Sequence, residues 1–317
     1  MNRNDRGIKQ SDKLLKMQGK FDRGPIEFHS RIVPQEGEIM AIASRRVISI
    51  PRTTPILQAV WTMTEHNFRR LPVTDAGTKK LRGIVTSGDI INFMGGGDKH
   101  RLVQVKHGGN LIAAVNESVR GIMTRDLLTL PETATIADAI RIIVEKKTGG
   151  LPIADENGIL KGIVTERDVM RALAATKSPL SVEEVMTSSL RVTLPDRPIA
   201  EVTREMTRFR FRRLPVVSDD VLFGIITATD IMRYLGSRDV FQRISTGNIS
   251  EVTGLPVRAL IAGDLFTTGP AKSINDAARE MLERNIGALP VIEDTRLIGL
   301  VTEFDLVRAF TGGGRTR

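Results

Sequence analysis

One short pattern recurs four times along the chain, and that recurrence constrains the fold more than any other feature. The four copies read GIVTSGDI from Gly83, GIVTERDV from Gly162, GIITATDI from Gly224 and GLVTEFDL from Gly299. Each follows a Leu-Pro-apolar triplet: Leu71-Pro72-Val73, Leu151-Pro152-Ile153, Leu214-Pro215-Val216 and Leu289-Pro290-Val291. From the Pro to the closing Asp the distances are 17, 16, 15 and 15 residues. A chain built this way folds as four copies of one small unit.

The pattern also dictates the unit's elements. Before each triplet, apolar residues recur at i, i+3, i+4 and i+7, the spacing of one buried helical face. The positions are Ile56, Ala59, Val60 and Met63; Ile136, Ala139, Ile140 and Ile143; and Ile274, Ala277, Ala278 and Met281. The third copy, Ile199, Val202, Thr203 and Met206, has one polar intrusion. Pro55 and Pro198 suit a first helical turn, and Thr135 and Ser273 suit an N-cap. Two short β-branched strands joined by turn residues follow, then a second helix. Each unit reads β-α-β-β-α, which makes the fold class α/β (α+β). So small a unit needs a partner copy to bury its apolar surface.

The copies alternate. The first and third carry Phe68-Arg69-Arg70 and Phe211-Arg212-Arg213 before Leu-Pro, whereas the second and fourth carry Gly149-Gly150 and Gly287-Ala288. Only the second and fourth have Thr-Glu-x-Asp. A two-repeat module that was itself duplicated accounts for this, with the division near residue 179. The expected organisation is a basic N-terminal extension (1–38), repeat 1 (39–94), an insert (95–118), repeat 2 (119–178), repeat 3 (179–236), a second insert (237–256), repeat 4 (257–311) and a Gly-rich tail (312–317).

Composition narrows the function classes. Cysteine is absent, which removes thiol nucleophiles, Cys-ligated zinc and disulfides. No apolar run reaches the ~18–20 residues a bilayer span requires, and the N-terminus is charged throughout with no apolar signal core. A cytoplasmic protein without a membrane segment is expected. The formal charge of +9 favours anionic partners: nucleotides, nucleic acid or acidic proteins.

A Gly-apolar-x-Thr-x-x-Asp motif closing a β-α-β-β-α unit resembles the signature of the cystathionine-β-synthase (CBS) domain. Two such units pair into a pseudo-twofold Bateman module. Four in one chain resemble the gamma subunit of AMP-activated protein kinase, and more closely its archaeal four-domain homologues, to which the insert carrying MGGGDK and NLIAAVNES is also similar. The resemblance covers roughly residues 40–311. It implies that adenosine ligands sit in clefts between paired domains, with the motif Asp on the ribose hydroxyls and the Thr and following helix turn on the phosphate. Carried over here, these residues are Thr86 and Asp89, Thr165 and Asp168, Thr227 and Asp230, and Thr302 and Asp305. Arg69, Arg70, Arg212 and Arg213 hold the positions of the family's phosphate-facing basic residues.

The chemistry suits those residue types. A carboxylate accepts from both ribose hydroxyls in charge-assisted bonds. A helix N-terminus offers unpaired N–H groups to phosphate, and arginine adds a bidentate fork. Plainer readings stand beside these. Thr-x-x-Asp resembles a helix capping box, although that box prefers the longer Glu or Gln. The arginine pairs also read as a solvated face. The run Arg208 to Arg213, with Phe209 and Phe211 interleaved, resembles a nucleic-acid surface, while alternation places both Phe rings toward the core. Gly95-Gly96-Gly97-Asp98-Lys99 lacks P-loop spacing and reads as a flexible linker. His29, His66, His100 and His107 show no metal-ligand spacing. Glu166 and Glu303 read as first-turn helix residues favoured by the dipole.

The expected function is a non-catalytic sensor of AMP, ADP or ATP, since the repeats leave no room for a catalytic fold and no nucleophile–base set or metal site stands out. The alternatives are a regulator binding S-adenosylmethionine or methylthioadenosine, and a basic nucleic-acid-binding protein. For the last, residues 1–32 hold four Arg and four Lys against three Asp and one Glu. By resemblance, a homodimer and a regulated protein are further expected partners.

Overall fold

A computed structural model describes residues 37–219, 221–261 and 264–310. The N-terminal extension and the Gly-rich tail lie outside the described residues. After a short helix α1 (Ile39–Ile42), repeat 1 comprises β1 (Ile50–Pro51), α2 (Ile56–Glu65), β2 (Arg70–Thr74), β3 (Leu81–Thr86) and α3 (Ser87–Gly95). The first insert contains a short helix α4 (Leu111–Val115). Repeat 2 comprises α5 (Ile136–Lys146), β4 (Gly150–Ala154), β5 (Leu160–Thr165) and α6 (Glu166–Leu173). After α7 (Val182–Val185), repeat 3 comprises α8 (Ile199–Phe209), β6 (Arg213–Ser218), β7 (Val221–Thr227) and α9 (Ala228–Leu235). The second insert forms α10 (Arg238–Arg243) and α11 (Ser250–Thr253), and repeat 4 comprises α12 (Ile274–Glu283), β8 (Ala288–Glu293), β9 (Arg296–Thr302) and α13 (Glu303–Phe310).

The expected β-α-β-β-α order is present, with its first strand shortened. β1 pairs with β2 in parallel over two residues. In the other repeats that strand is a single parallel bridge, Leu130 to Ile153, Thr193 to Val216 and Thr268 to Val291. A proline follows within two residues each time: Pro51, Pro131, Pro195 and Pro270. With no N–H to give, it stops the ladder from lengthening. The two main strands of each repeat are antiparallel and place Val73, Ile153, Val216 and Val291 opposite the motif glycines Gly83, Gly162, Gly224 and Gly299. These glycines make room for a neighbour. A Cβ on Gly83 would lie 2.9 Å from Met123, and one on Gly224 would lie 2.6 Å from Ile261. Both neighbours belong to the segment leading into the module partner.

The stripes of α2 and α12 bury as their spacing requires, with Ile56, Ala59, Val60, Met63, Ile274, Ala277, Ala278 and Met281 fully buried, whereas in α5 Ala139 and Ile143 are buried and Ile136 and Ile140 only partly so. Thr135 and Ser273 are N-caps whose side chains accept from Asp138 and Asp276 N–H groups. Pro55 and Pro198 stand one residue earlier than expected, at the N-cap itself.

Each repeat has two partners rather than one. Within a module, the leading segments are exchanged: Ser44 bridges Ile163, Thr124 bridges Ile84, and Thr187 bridges Leu300. Through its helices, repeat 1 shares one apolar core with repeat 3, and repeat 2 shares another with repeat 4. The division near residue 179 therefore marks the sequence duplication but does not separate two cores. The polar intrusion in α8 has its place in this arrangement. Thr203 is fully buried and donates to Ile199 O at 2.9 Å, and Gly95 of α3 packs directly on it. The two inserts also meet, Leu111 N donating to Gly247 O at 2.8 Å and Ile249 N to Gly109 O at 2.9 Å. No helix among the described residues is long and apolar enough to cross a membrane.

Candidate functional site

All four Thr-x-x-Asp turns are complete helix caps. Thr86, Thr165, Thr227 and Thr302 each donate their hydroxyl to the Asp three residues on at 2.7 Å. Their backbone N–H groups reach the same carboxylate oxygen, Oδ2, at 2.6, 2.9, 2.9 and 3.0 Å. Asp is therefore long enough for the box, and the short side chain does not argue against capping. The hydroxyl donor that the resemblance turns toward phosphate is committed to this bond. The cap consumes only one carboxylate oxygen. The other, Oδ1, faces a basic residue: Arg171 beside Asp168 at 3.5 Å, Arg233 beside Asp230 at 3.3 Å and Arg308 beside Asp305 at 3.9 Å.

Three of these turns open into clefts of similar construction. Asp168 shares a cleft of about 340 Å³ with Ser44, Val47 and Ile48, from the segment leading into repeat 1. Asp230 shares one of about 330 Å³ with Ile261, Asp264 and Phe266, from the segment leading into repeat 4. Asp305 shares one of about 420 Å³ with Thr187, Leu190 and Arg191, from the segment leading into repeat 3. Each volume suits a small organic ligand. Burial pushes the Asp305 carboxyl above its usual range, against the bonds from Thr302 and the charge of Arg308.

The arginine pairs explain the alternation of the repeats. Arg70 lies over the second repeat: a Cβ on Gly150 would be 2.6 Å from it, and one on Gly149 would be 2.5 Å from Arg212. A Cβ on Gly287 would lie 3.1 Å from Glu303 and 3.3 Å from Arg213, and the Gly287 carbonyl accepts a hydrogen bond from that guanidinium. Glycine stands in the even repeats because odd-repeat guanidinium groups pass over it. The even-motif clefts thus receive the arginines that the sequence assigns to the odd repeats. Arg69 and Arg70 line the Asp168 cleft, and Arg212 and Arg213 line the Asp305 cleft.

Glu166 and Glu303 do start their helices, but they are 2% and 1% exposed and pair across the duplication. Arg69 donates to Glu303 at 2.7 Å, Arg167 to Glu303 at 2.6 Å, and Arg212 to Glu166 at 3.0 Å. Burial, the largest single influence, raises the Glu303 carboxyl, but Arg69, Arg167 and Arg213 together bring it down to about 2. Arg70 and Arg213 have no carboxylate in ion-pair contact among the described residues. Desolvation and the charge of Arg212 pull each guanidinium down to about 10. Arg70 lines the Asp168 cleft and Arg213 the Asp230 and Asp305 clefts, so each cleft holds one under-compensated cation. The walls are shared: Arg69 and Arg167 line both the Asp168 and Asp230 clefts, and Arg212 and Arg213 line both the Asp230 and Asp305 clefts.

Repeat 1 differs. Thr86 and Asp89 line none of these three clefts, and the Oδ1 of Asp89 is held by the ammonium of Lys99. The glycine run is not a loose linker. Gly95 ends α3, Gly96 turns with φ 94°, and a 3₁₀ turn at Asp98–His100 brings Lys99 back onto the helix. Asn92 fastens it, accepting from Lys99 N at 2.9 Å and donating to Asp98 at 2.6 Å.

The sequence reading missed Arg167, Arg171, Arg233 and Arg308. The last three had a signal, since Asp is followed by Arg at i+3 in DVMR, DIMR and DLVR but by Asn92 in DIIN. Arg167 had none, because Gly88, Thr229 and Phe304 stand at its equivalents. The Phe rings are not core: Phe211 is 42% exposed, stacks on Phe209 at 6.0 Å and lines the Asp305 cleft, with Arg191 over Phe209 at 3.5 Å. Arg210, Arg212 and Arg213 line clefts as well, so most of the basic-aromatic run borders a cleft. His66 stacks on Phe68 and lines the Asp168 cleft; His100 bonds Phe93 O at 2.7 Å, and His107 bonds Glu117 at 2.9 Å. His29 lies outside the described residues.

Known proteins share this architecture. The chain matches the CBS domain at residues 38–96, 119–175, 182–237 and 257–312. It is 41% identical over 275 residues to the uncharacterized protein MJ1225 of Methanocaldococcus jannaschii, across 86% of this chain and 98% of that one. The crystal structure of MJ1225, presented as a proposed archaeal homolog of g-AMPK, superposes with a TM-score of 0.82 over 86% of this chain and 99% of that one. A 33.4 kDa protein of the ribosomal RNA operon of Thermofilum pendens is 29% identical across 81% of this chain and 86% of its own. An uncharacterized Pyrococcus horikoshii protein, 20% identical, shares the fold with a TM-score of 0.55 over 86% of this chain and 99% of its own. With four such domains in register, each closing on the same capped turn, this chain belongs to the CBS domain family.

Proposed function

We propose that this protein is a non-catalytic adenine-nucleotide sensor that holds AMP, ADP or ATP in the clefts of Asp168, Asp230 and Asp305. One observation carries the reading. In each cleft a carboxylate with one oxygen left over from the helix cap shares the lining with an arginine lacking full counter-charge, Arg70 with Asp168 and Arg213 with Asp230 and with Asp305. A ribose diol suits the first and a phosphate the second. The relationship to a proposed g-AMPK homolog supports the same ligand class.

The ion pairs suggest how binding is read out. Arg69–Glu303 and Arg212–Glu166 join one module to the other. A phosphate drawing on Arg69 or Arg212 competes with those glutamates, so ligand and inter-module geometry are linked through differential affinity. Because the clefts share walls, occupancy of one alters the charge seen by the next.

Thermal denaturation with AMP, ADP, ATP, S-adenosylmethionine and methylthioadenosine at constant salt tests the proposal. A ligand at 100 times its Kd adds about 2.7 kcal/mol, or several degrees at roughly 2–4 °C per kcal/mol. A rise with phosphorylated adenosines, reduced by Asp230→Asn, is expected. No rise with any adenosine compound would remove the function.

A further inference from the structure

We propose that the clefts are sorted by ligand charge, and that the residue after the motif threonine does the sorting. Ala228 makes the Asp230 cleft the site for adenosine di- and triphosphates. Glu166 makes the Asp168 cleft the site for adenosines with one phosphate or an uncharged 5′ group. The inference rests on the adenosine-binding reading above and names the ligand class of two of its sites.

The position after the threonine is the first residue of the helix that faces the cleft. It is Glu in repeats 2 and 4, and Ala228, 3% exposed, in repeat 3. The Asp168 cleft is lined by both buried glutamates, Glu166 and Glu303. Two of its arginines, Arg69 and Arg167, are already held on Glu303. Arg46 and Arg70 are left as guanidinium groups with no carboxylate in contact among the described residues. Four basic residues, Arg46, Arg69, Arg70 and Arg167, stand against three carboxylates, Glu166, Asp168 and Glu303, an excess of one positive charge that matches one phosphate at most, and each further phosphate adds repulsion in a poorly solvated site.

The Asp230 cleft has the opposite balance. Neither Glu166 nor Glu303 lines it, while Arg69, Arg167, Arg212, Arg213 and Arg233 all do. Its two carboxylates are Asp230 and Asp264. Asp230 is committed to the cap and the ribose position. Asp264 stands with Leu265 and Phe266 on the segment leading into repeat 4, the apolar side suited to a base. Arg69, Arg167 and Arg212 keep their glutamate partners, which are not part of this cleft's lining, and five basic residues against two carboxylates leave the lining an excess of three positive charges for a chain of phosphates. The Asp305 cleft is lined by both glutamates and Asp305 but also by Lys147, Arg191, Arg210, Arg212, Arg213 and Arg308, and the sorting is proposed for the Asp168 and Asp230 clefts alone.

Equilibrium dialysis with labelled ATP, AMP and methylthioadenosine on the full chain tests the sorting, using wild type, Asp168→Ala, Asp230→Ala, Ala228→Glu and Ala228→Ser. Asp230→Ala is expected to remove the tightest ATP equivalent and leave the tightest methylthioadenosine equivalent in place, and Asp168→Ala to do the reverse. Ala228→Glu should weaken ATP at least about tenfold more than AMP, with Ala228→Ser near wild type. Equal losses of ATP and AMP in Ala228→Glu, or loss of the same ligand in both Asp variants, would overturn the sorting while leaving adenosine binding intact. Failure of wild type to bind any of the three would instead overturn the function beneath it. If Ala228→Glu does not fold, the two Asp variants decide the question alone.

Discussion

The ammonium of Lys99 sits on the Asp89 carboxylate oxygen that the helix cap leaves over. In the other three repeats the corresponding oxygen has, among the described residues, an arginine one helical turn away. The first insert thus supplies repeat 1 with its own cation. The expected saturating stoichiometry is three adenosine ligands per chain. Isothermal titration checks it, and a fourth tight equivalent would refute it. Lys99→Ala should cost about 1–3 kcal/mol in urea denaturation, because it leaves a poorly solvated carboxylate without its partner.

Capping and ligand binding are separable at Asp168, Asp230 and Asp305. Alanine at any of them removes a cap and lowers ligand-free stability by about 1 kcal/mol. Asparagine keeps an acceptor for the threonine but loses the charge. Asp230→Asn should therefore unfold close to the wild-type temperature without ligand and lose most of its nucleotide-dependent rise. An unchanged rise would assign the motif to capping alone.

Arg70 is held against its own solvation. Desolvation and Arg212 bring it down to about 10, so the folded protein binds its proton less tightly than the unfolded chain. A positive charge held this way destabilises the fold at neutral pH. Arg70→Met should raise ligand-free stability by about 1 kcal/mol and weaken AMP binding. Denaturation midpoints with and without AMP measure both effects, and a less stable, AMP-responsive variant would contradict the argument.

Glu303 predicts an acid transition. Its carboxyl falls from 4.5 to about 2 on folding, so the folded state favours the charged form. That stabilisation is fully present above pH 4.5 and is lost as pH falls toward 2. In Glu303→Gln the slope of stability against pH over that window should flatten. A ligand that takes Arg69 and Arg167 should reduce the same slope in wild type.

Much of this protein is legible locally. Apolar stripes at 3.6-residue spacing, Leu-Pro-apolar strands and capped Thr-x-x-Asp turns are each set by residues within about twenty positions of one another, so four copies declare the fold and the motif aspartates. The prolines that cut the first strand to a bridge were equally visible, and the Asp-x-x-Arg pattern was there to be read. The role of the alternation was not. Glycine at positions 149, 150 and 287 signals an absent side chain but not whose guanidinium fills the space, and Arg70 and Arg213 come from other repeats. The pairing of repeat 1 with 3 and 2 with 4, the burial of Glu166 and Glu303, and the return of Lys99 onto Asp89 likewise depend on how separate elements meet. Periodicity records which face a residue presents to its own element. Only tertiary packing decides which distant charge stands opposite that face, and here those distant charges distinguish one cleft from another.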